Sequence, residues 1–266
     1  MRLGFIGAGN MGGAIIRGYI AATPGGAAAV SAYDKNGEKL AEIAGSLGIR
    51  AAGGVAELAA ASDIVMLAVK PTNFEDVLPE LAPALRQGHT VVSMAAGISI
   101  AYIEGFLGAD RKIVRIMPNT PAMVGESMTA VSRNANLGDD EFEGVMAVFS
   151  TIGRAAEVDE SLMDTVVGVS GSSPAYAYMF IDALAKGAAG RGMDEAAART
   201  FAAQATLGAA KMVLETGVDP VVLCQNVCSP GGATIEAVEV LRRRGFEGIV
   251  AEALEAAAEK SKRLAK

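Results

Sequence analysis

The run Asp63-Ile64-Val65-Met66-Leu67-Ala68 sets the first constraint on this chain. In an extended backbone successive side chains point to opposite faces, so an unbroken apolar stretch is stable only as a strand covered on both sides. Arg2–Ile6, Ala28–Tyr33, Thr90–Met94 and Lys112–Met117 read in the same way, and Met128–Ser132 and Ala155–Val158 add two shorter strands. Between them lie segments with helical periodicity: one from the glycines after Ile6 to about Ala22, then Glu38–Leu47, Phe74–Leu85, Ile100–Leu107 and Asp139–Thr151. Strands alternating with helices predict an α/β fold, a doubly wound, Rossmann-type and mostly parallel sheet.

After Val158 the pattern changes to helices alone. Gly171 and Pro174 interrupt the first of them. Asp194 is placed to cap a helix running to about Glu215, and Asp219-Pro220 opens a short one with proline in its first turn. Thr234 starts another, and Phe246–Lys266 closes the chain. With no low-complexity linker between them, the expected domains are residues 1–158, binding a dinucleotide, and residues 159–266, all-helical.

Composition narrows the partners. A formal net charge of −7 lacks the basic stripes that nucleic acid requires. The start, MRLGFIGAGN, does not read as a signal peptide, and no stretch of about 18 apolar residues runs without a charge, so a membrane is not expected. Cys224 and Cys228 have no histidine near them to complete a metal site, and they read as packed or half-exposed thiols in a reducing cytoplasm. His89, in Gln87-Gly88-His89-Thr90, reads as a surface turn residue. No triad and no metal centre is expected, which suits hydride transfer to an already activated acceptor.

Three groups of residues carry chemistry. Gly7-x-Gly9-x-x-Gly12 follows a strand and opens a helix. Its glycines permit a tight turn, a close approach to pyrophosphate and close helix packing, and Asp34 ends the second strand where an adenosine ribose lies. Ala68-Val69-Lys70-Pro71, Ser93-Met94-Ala95-Ala96-Gly97 and Met117-Pro118-Asn119-Thr120-Pro121 each follow a strand, on the edge of the sheet where ligands of parallel sheets bind. Ser229-Pro230-Gly231-Gly232-Ala233-Thr234 places amides at a helix start with no arginine or lysine among them, a site suited to a small carboxylate. The competing local reading is a turn between helices with Thr234 as its cap.

GFIGAGNMG, AVKP, AAGI, MPNTPA, SGSSPAYAY and CSPGGATIEA, in this order along the whole chain, resemble the pyrroline-5-carboxylate reductases. The resemblance implies a Rossmann domain and a helical domain that binds substrate and forms an intertwined homodimer, with decamers in several members. It implies NADPH or NADH as cofactor and reduction of the cyclic imine 1-pyrroline-5-carboxylate to L-proline. Carried over by motif, Gly7, Gly9, Asn10, Met11 and Gly12 match the phosphate loop, and Ala68 and Lys70 the next cofactor loop. Ala95, Ala96, Asn119, Thr120 and Pro121 match positions near the nicotinamide. Ser229, Gly231, Gly232, Ala233 and Thr234 match the loop for the substrate carboxylate, with Thr234 placed to hydrogen-bond the ring nitrogen. Ser173 stands where the family usually has glycine, Cys228 where many members have threonine, and Val55 where some have asparagine near the ribose.

Two other functions fit parts of the pattern. A 3-hydroxyacid or 6-phosphogluconate-type dehydrogenase shares the two-domain plan but uses a lysine in the helix after the boundary, and Gly171–Ile181 contains none. A non-catalytic dinucleotide-binding regulator has no need of both MPNTP and SPGGAT.

Overall fold

The computed structural model describes residues 1–264. The strands are β1 (Leu3–Ile6), β2 (Val30–Tyr33), β3 (Arg50–Ala51), β4 (Ile64–Leu67), β5 (Thr90–Ser93), β6 (Lys112–Met117), β7 (Ser127–Arg133) and β8 (Gly153–Glu157). They form one sheet in the order β3-β2-β1-β4-β5-β6-β7-β8. Every neighbouring pair is parallel except β6 and β7. The first six follow the 3-2-1-4-5-6 order of dinucleotide-binding sheets, so the strand order reverses at β1, between β2 and β4.

Helices α1 (Asn10–Ala22), α2 (Gly37–Leu47), α3 (Val55–Ala60), α4 (Phe74–Leu81), α5 (Ile100–Leu107) and α6 (Asp139–Ser150) cover both faces of the sheet. Ile15 and Ile16 of α1, Ile43 of α2 and Phe149 of α6 share one core with Leu3 and Phe5. Leu58 of α3, Phe74 and Leu78 of α4 and Ile103 of α5 share the other with Ile6 and Leu67. The apolar run that predicted a doubly covered strand is β4, whose four residues are all buried.

Several local expectations change. β3 and α3 are additions: β3 is a two-residue edge strand with both residues exposed, and α3 is short, although its buried Val55, Leu58 and Ala59 have helical spacing. The helix expected to run to Leu85 ends at Leu81, and Pro83 continues it only as a 3-10 turn, Ala82–Ala84. β2 begins at Val30 because a 3-10 turn, Gly26–Ala29, precedes it. β7 and β8 both begin earlier than their apolar residues suggested, since they pair from Ser127 opposite Gly153. His89 is not at the surface: it is 3% exposed. The Arg86 backbone N–H donates to its Nδ1 at 2.9 Å, and the Arg86 guanidinium lies against Nε2. Burial, then the charge of Arg86, lowers its pKa. The turn residues around it are polar, but the ring itself fills a space at the start of β5 that only the tertiary fold creates.

The remaining helices are α7 (Met163–Val166), α8 (Ser173–Ala189), α9 (Glu195–Thr216), α10 (Pro220–Val227), α11 (Ala233–Arg243) and α12 (Phe246–Arg263). A π-helical turn, Val167–Gly171, separates α7 from α8, where the break was expected. Contacts divide the chain into two compact units: residues 1–171 with the end of the chain from Ala256, and Ser172–Glu255. Within the second unit, the Asp194 carboxylate accepts from Ala197 N–H at the start of α9, and Asp219 accepts from Val221 N–H at the start of α10. Its buried apolar cluster consists of three alanines, Ala185, Ala198 and Ala202. Met179, Phe201, Met212 and Ile249 are among its exposed large side chains.

Candidate active site

The glycine loop lies at the switch point. Gly7, with φ of +100°, donates its N–H to the Tyr33 carbonyl at 2.7 Å, joining the end of β1 to that of β2. A Cβ at Gly7 would lie 2.5 Å from the Ala68 carbonyl oxygen, and one at Gly12 would lie 2.9 Å from the Gly7 carbonyl oxygen. Both glycines are thus required by the fold itself. Gly9 differs. It is the N-cap of α1 at φ of −69°, and a Cβ there would meet no atom within 4 Å. No side chain caps this helix, so its first amides are available to an anion.

Asp34 fastens the same loop. One carboxylate oxygen accepts from Ala8 N–H at 2.8 Å and the other from Asn36 N–H at 2.9 Å. A cleft of about 490 Å³ opens beside them, lined by Gly7, Gly9, Asp34, Val55, Ala68 and Lys70, among others. Gly7, Gly9, Asp34, Val55, Ala68 and Lys70, all singled out from sequence, therefore line one cleft. Lys35 and Lys39 line it too, and sequence reasoning had not assigned Lys39 to the site. The signal was present: Lys39 lies in the first turn of α2, the helix that follows the strand end where a ribose was expected. Asn10 and Met11 are in the first turn of α1.

Ala95, Ala96, Asn119, Thr120 and Pro121 do not line that cleft. They follow β5 and β6, further along the same carboxyl edge of the sheet. Ala96 packs with Met117 and Met163 in a small cluster. The Asn119 side chain is occupied internally: its Oδ1 accepts from Met128 N–H and Ser127 Oγ at 3.0 Å, and its Nδ2 donates to the Ser170 carbonyl at 2.9 Å. It holds the loop after β6 to β7 and to the π-helical turn.

In the second unit, Ser229–Gly232 forms a tight turn closed by Gly232 N–H to the Ser229 carbonyl at 3.0 Å, with Gly231 at φ of +71°. That bond uses the Gly232 amide, which the sequence had suggested was free. The N-cap of α11 is Gly232, not Thr234, and no side chain caps the helix. The amides of Ala233, Thr234 and Ile235 open α11, and Thr234 is exposed. Among the described residues no hydrogen bond occupies its hydroxyl. The reading of Thr234 as a mere cap is therefore replaced by an uncapped helix start with a free hydroxyl beside it. Among the described residues no cluster of His, Cys, Asp and Glu is placed to hold a metal ion, and no helix is long and apolar enough to cross a membrane.

Comparison with known proteins covers both parts of this arrangement. Residues 2–97 match the family model for NADP oxidoreductase, coenzyme F420-dependent, and residues 160–264 match that for pyrroline-5-carboxylate reductase dimerisation. A pyrroline-5-carboxylate reductase of Escherichia coli (strain K12) is 46% identical over 265 residues, covering 100% of this chain and 98% of the relative. The chain belongs to the pyrroline-5-carboxylate reductase family. Solved structures agree. A pyrroline-5-carboxylate reductase from Coxiella burnetii superposes with a TM-score of 0.94 at 32% identity, over 100% of this chain and 98% of that one. The Plasmodium falciparum pyrroline carboxylate reductase with NADP bound has a TM-score of 0.88 at 30% identity, covering 100% of this chain and 98% of that one. Membership in this reductase family disfavours both the hydroxyacid-dehydrogenase and the regulator alternatives.

Proposed function

We propose that this protein reduces 1-pyrroline-5-carboxylate to L-proline, using NADPH or NADH. One feature carries the assignment of roles: a family member combines a glycine loop left open at Gly9 with an uncapped α11 start that lacks any basic side chain. The first is shaped for a pyrophosphate and the second for a small carboxylate. NADPH or NADH, when bound, supplies hydride to the carbon of the C=N bond. Gly9 leaves room for the pyrophosphate, the α1 amides of Asn10, Met11 and Gly12 face it, and Asp34 orients the glycine loop beside the ribose. Ala68 and Lys70 flank the nucleotide, and the loops at Ala95-Ala96 and Asn119-Thr120-Pro121 bound the nicotinamide end.

Ser229, Gly231, Gly232, Ala233 and Thr234 form the substrate loop in this reading. Amides at the start of α11 receive the carboxylate, and the Thr234 hydroxyl meets the ring nitrogen. Protonation of that nitrogen gives an iminium, whose carbon accepts hydride readily while the C=N π pair moves to nitrogen, giving the ring amine. The protein's part is proximity and orientation, with no strongly shifted acid or base. Mixing the protein with pyrroline-5-carboxylate and each nucleotide tests the function directly. Imine-dependent loss of nucleotide absorbance and formation of proline are expected, and no loss with either nucleotide would refute the reading.

Cofactor choice follows from Asp34. Its carboxylate accepts hydrogen bonds from a ribose 2′-hydroxyl and repels a 2′-phosphate, while Lys35 and Lys39 in the same cleft attract one. Both nucleotides are expected to work. Asp34→Ser is expected to shift the kcat/KM ratio about tenfold toward NADPH, about 1.4 kcal/mol. Because Asp34 also holds Ala8 N–H, KM should rise for both. An unchanged ratio would leave Asp34 as a loop fastener only.

Nucleotide binding is assigned to residues 1–158 and substrate binding with dimerisation to 159–266, since the sheet ends at Glu157 and only helices follow. The exposed Met179, Phe201, Met212 and Ile249, over a buried cluster of alanines, support a homodimer through these helices. The larger assembly proposed is a decamer built from five such dimers. Sedimentation at micromolar concentration should show a dimer or a multiple of it, and a stable active monomer would defeat this assignment. A cytoplasmic location fits the two free cysteines.

A further inference from the structure

Arg115 is a charged residue in the middle of a buried strand. It lies on β6, in register with Ser93 on β5 and Ser132 on β7, and is 6% exposed. Its Nη1 reaches Glu160 Oε1 at 3.1 Å. The same carboxylate oxygen accepts from Ile100 N–H, the first amide of α5, at 2.8 Å. Arg115 Nε is buried and has no hydrogen-bond partner among the described residues. Burying a guanidinium with one donor unpaired is costly, and well-packed apolar residues at such positions are often as stable or more so. Stability alone therefore gives little reason for this pair.

Its position supplies another reason. Ile100 follows the Ala95–Ser99 loop directly, and Arg115 lies two residues before Met117, where the Pro118–Pro121 loop begins. Glu160 stands in the turn that leads to α7, whose Met163 packs with Met117 and Ala96. One carboxylate oxygen thus joins three segments, and the two loops that leave β5 and β6 are held at a common distance. The Coulomb attraction and the amide bond act on the same atom, so neither loop can slide without breaking one of them.

We propose that Arg115 and Glu160 are positioning residues for hydride transfer, fixing the Ala95–Ser99 and Pro118–Pro121 loops as one wall at the nicotinamide end. This rests on the assignment of those loops under the proposed function. It predicts a split between binding and chemistry. Most nucleotide affinity comes from the glycine-loop cleft, which the pair does not touch, whereas hydride transfer depends on the placement of one ring.

The test uses the full-length protein in two forms, Glu160→Gln and the double variant Arg115→Met with Glu160→Leu. Thermal midpoint, NADPH affinity by fluorescence titration, and the single-turnover rate of NADPH oxidation at saturating imine are measured. In the double variant the thermal midpoint should fall by only a few °C, from the lost acceptor of Ile100 N–H, with NADPH affinity changed less than about twofold and hydride transfer slowed about tenfold. Glu160→Gln, which keeps an acceptor for Ile100 N–H, should slow transfer to a smaller degree with affinity retained. It carries the test if the double variant does not fold. A transfer rate at the parent level in either folded variant, or affinity and rate falling by the same factor, would overturn the proposal. Ala96→Leu is run alongside. If it slows transfer while the pair variants do not, the loop assignment stands and the positioning role fails. If Ala96→Leu transfers hydride normally, the loop assignment is lost and the positioning role with it.

Discussion

Gly9→Ala is expected to lose nucleotide binding without losing stability. Its backbone is in an ordinary conformation, and an added methyl meets no protein atom within 4 Å. The thermal midpoint should therefore match that of the parent. The methyl instead enters the room assigned to the pyrophosphate, which must approach the backbone closely to reach the α1 amides. NADPH affinity should fall at least hundredfold, about 2.8 kcal/mol. Gly7→Ala provides the contrast. At φ of +100°, with the Ala68 carbonyl oxygen 2.5 Å from the new Cβ, strain of about 1–3 kcal/mol adds to displacement of the Ala68 loop. That variant should lose both affinity and roughly 5 °C or more of thermal stability. Nucleotide affinity near the parent's in Gly9→Ala, measured by fluorescence titration, would remove the glycine loop from the phosphate site.

Thr234→Ala carries the second large effect, on chemistry. Gly232 caps α11, so the Thr234 hydroxyl contributes nothing to the helix start and its removal should leave the thermal midpoint unchanged. Loss of one oriented hydrogen bond to the ring nitrogen costs about 1–3 kcal/mol, a fall of about 5- to 150-fold in kcat/KM for the imine. Nucleotide affinity should be unaffected, and Thr234→Ser, which keeps the hydroxyl, should retain most of the activity. If Thr234→Ala reduces the imine at the parent's kcat/KM, the hydroxyl does not meet the nitrogen.

Legibility in the sequence followed the range of the interaction involved. Gly7, Gly9, Asp34, Ala68 and Lys70 were found because each is tied to a strand end, and the order of strands in a parallel sheet decides which ends meet. Asn119 was found for its place in a motif, but its side chain proved to be a tie between β7 and the π-helical turn. Thr234 was open to two local readings because a threonine beside Gly-Gly suits a cap and a ligand site equally, and backbone geometry separated them by making Gly232 the cap. His89 was misplaced because its neighbours are turn-forming, while its burial depends on Arg86 folding back over it.

By itself the sequence determined the class of the fold, the switch from strand–helix alternation to helices alone, and the loops at the strand ends, because these depend on periodicity and on turn chemistry within a few residues. Only the tertiary structure decided which glycines serve the fold and which serve a ligand, since that depends on the distance from Gly9 or Gly7 to atoms around Ala68, far along the chain. It alone joined Arg115, Ile100 and Glu160 at one carboxylate oxygen. A salt bridge across 45 residues of sequence leaves no periodic trace, because it depends on how the strands and the helices that follow them come together in space.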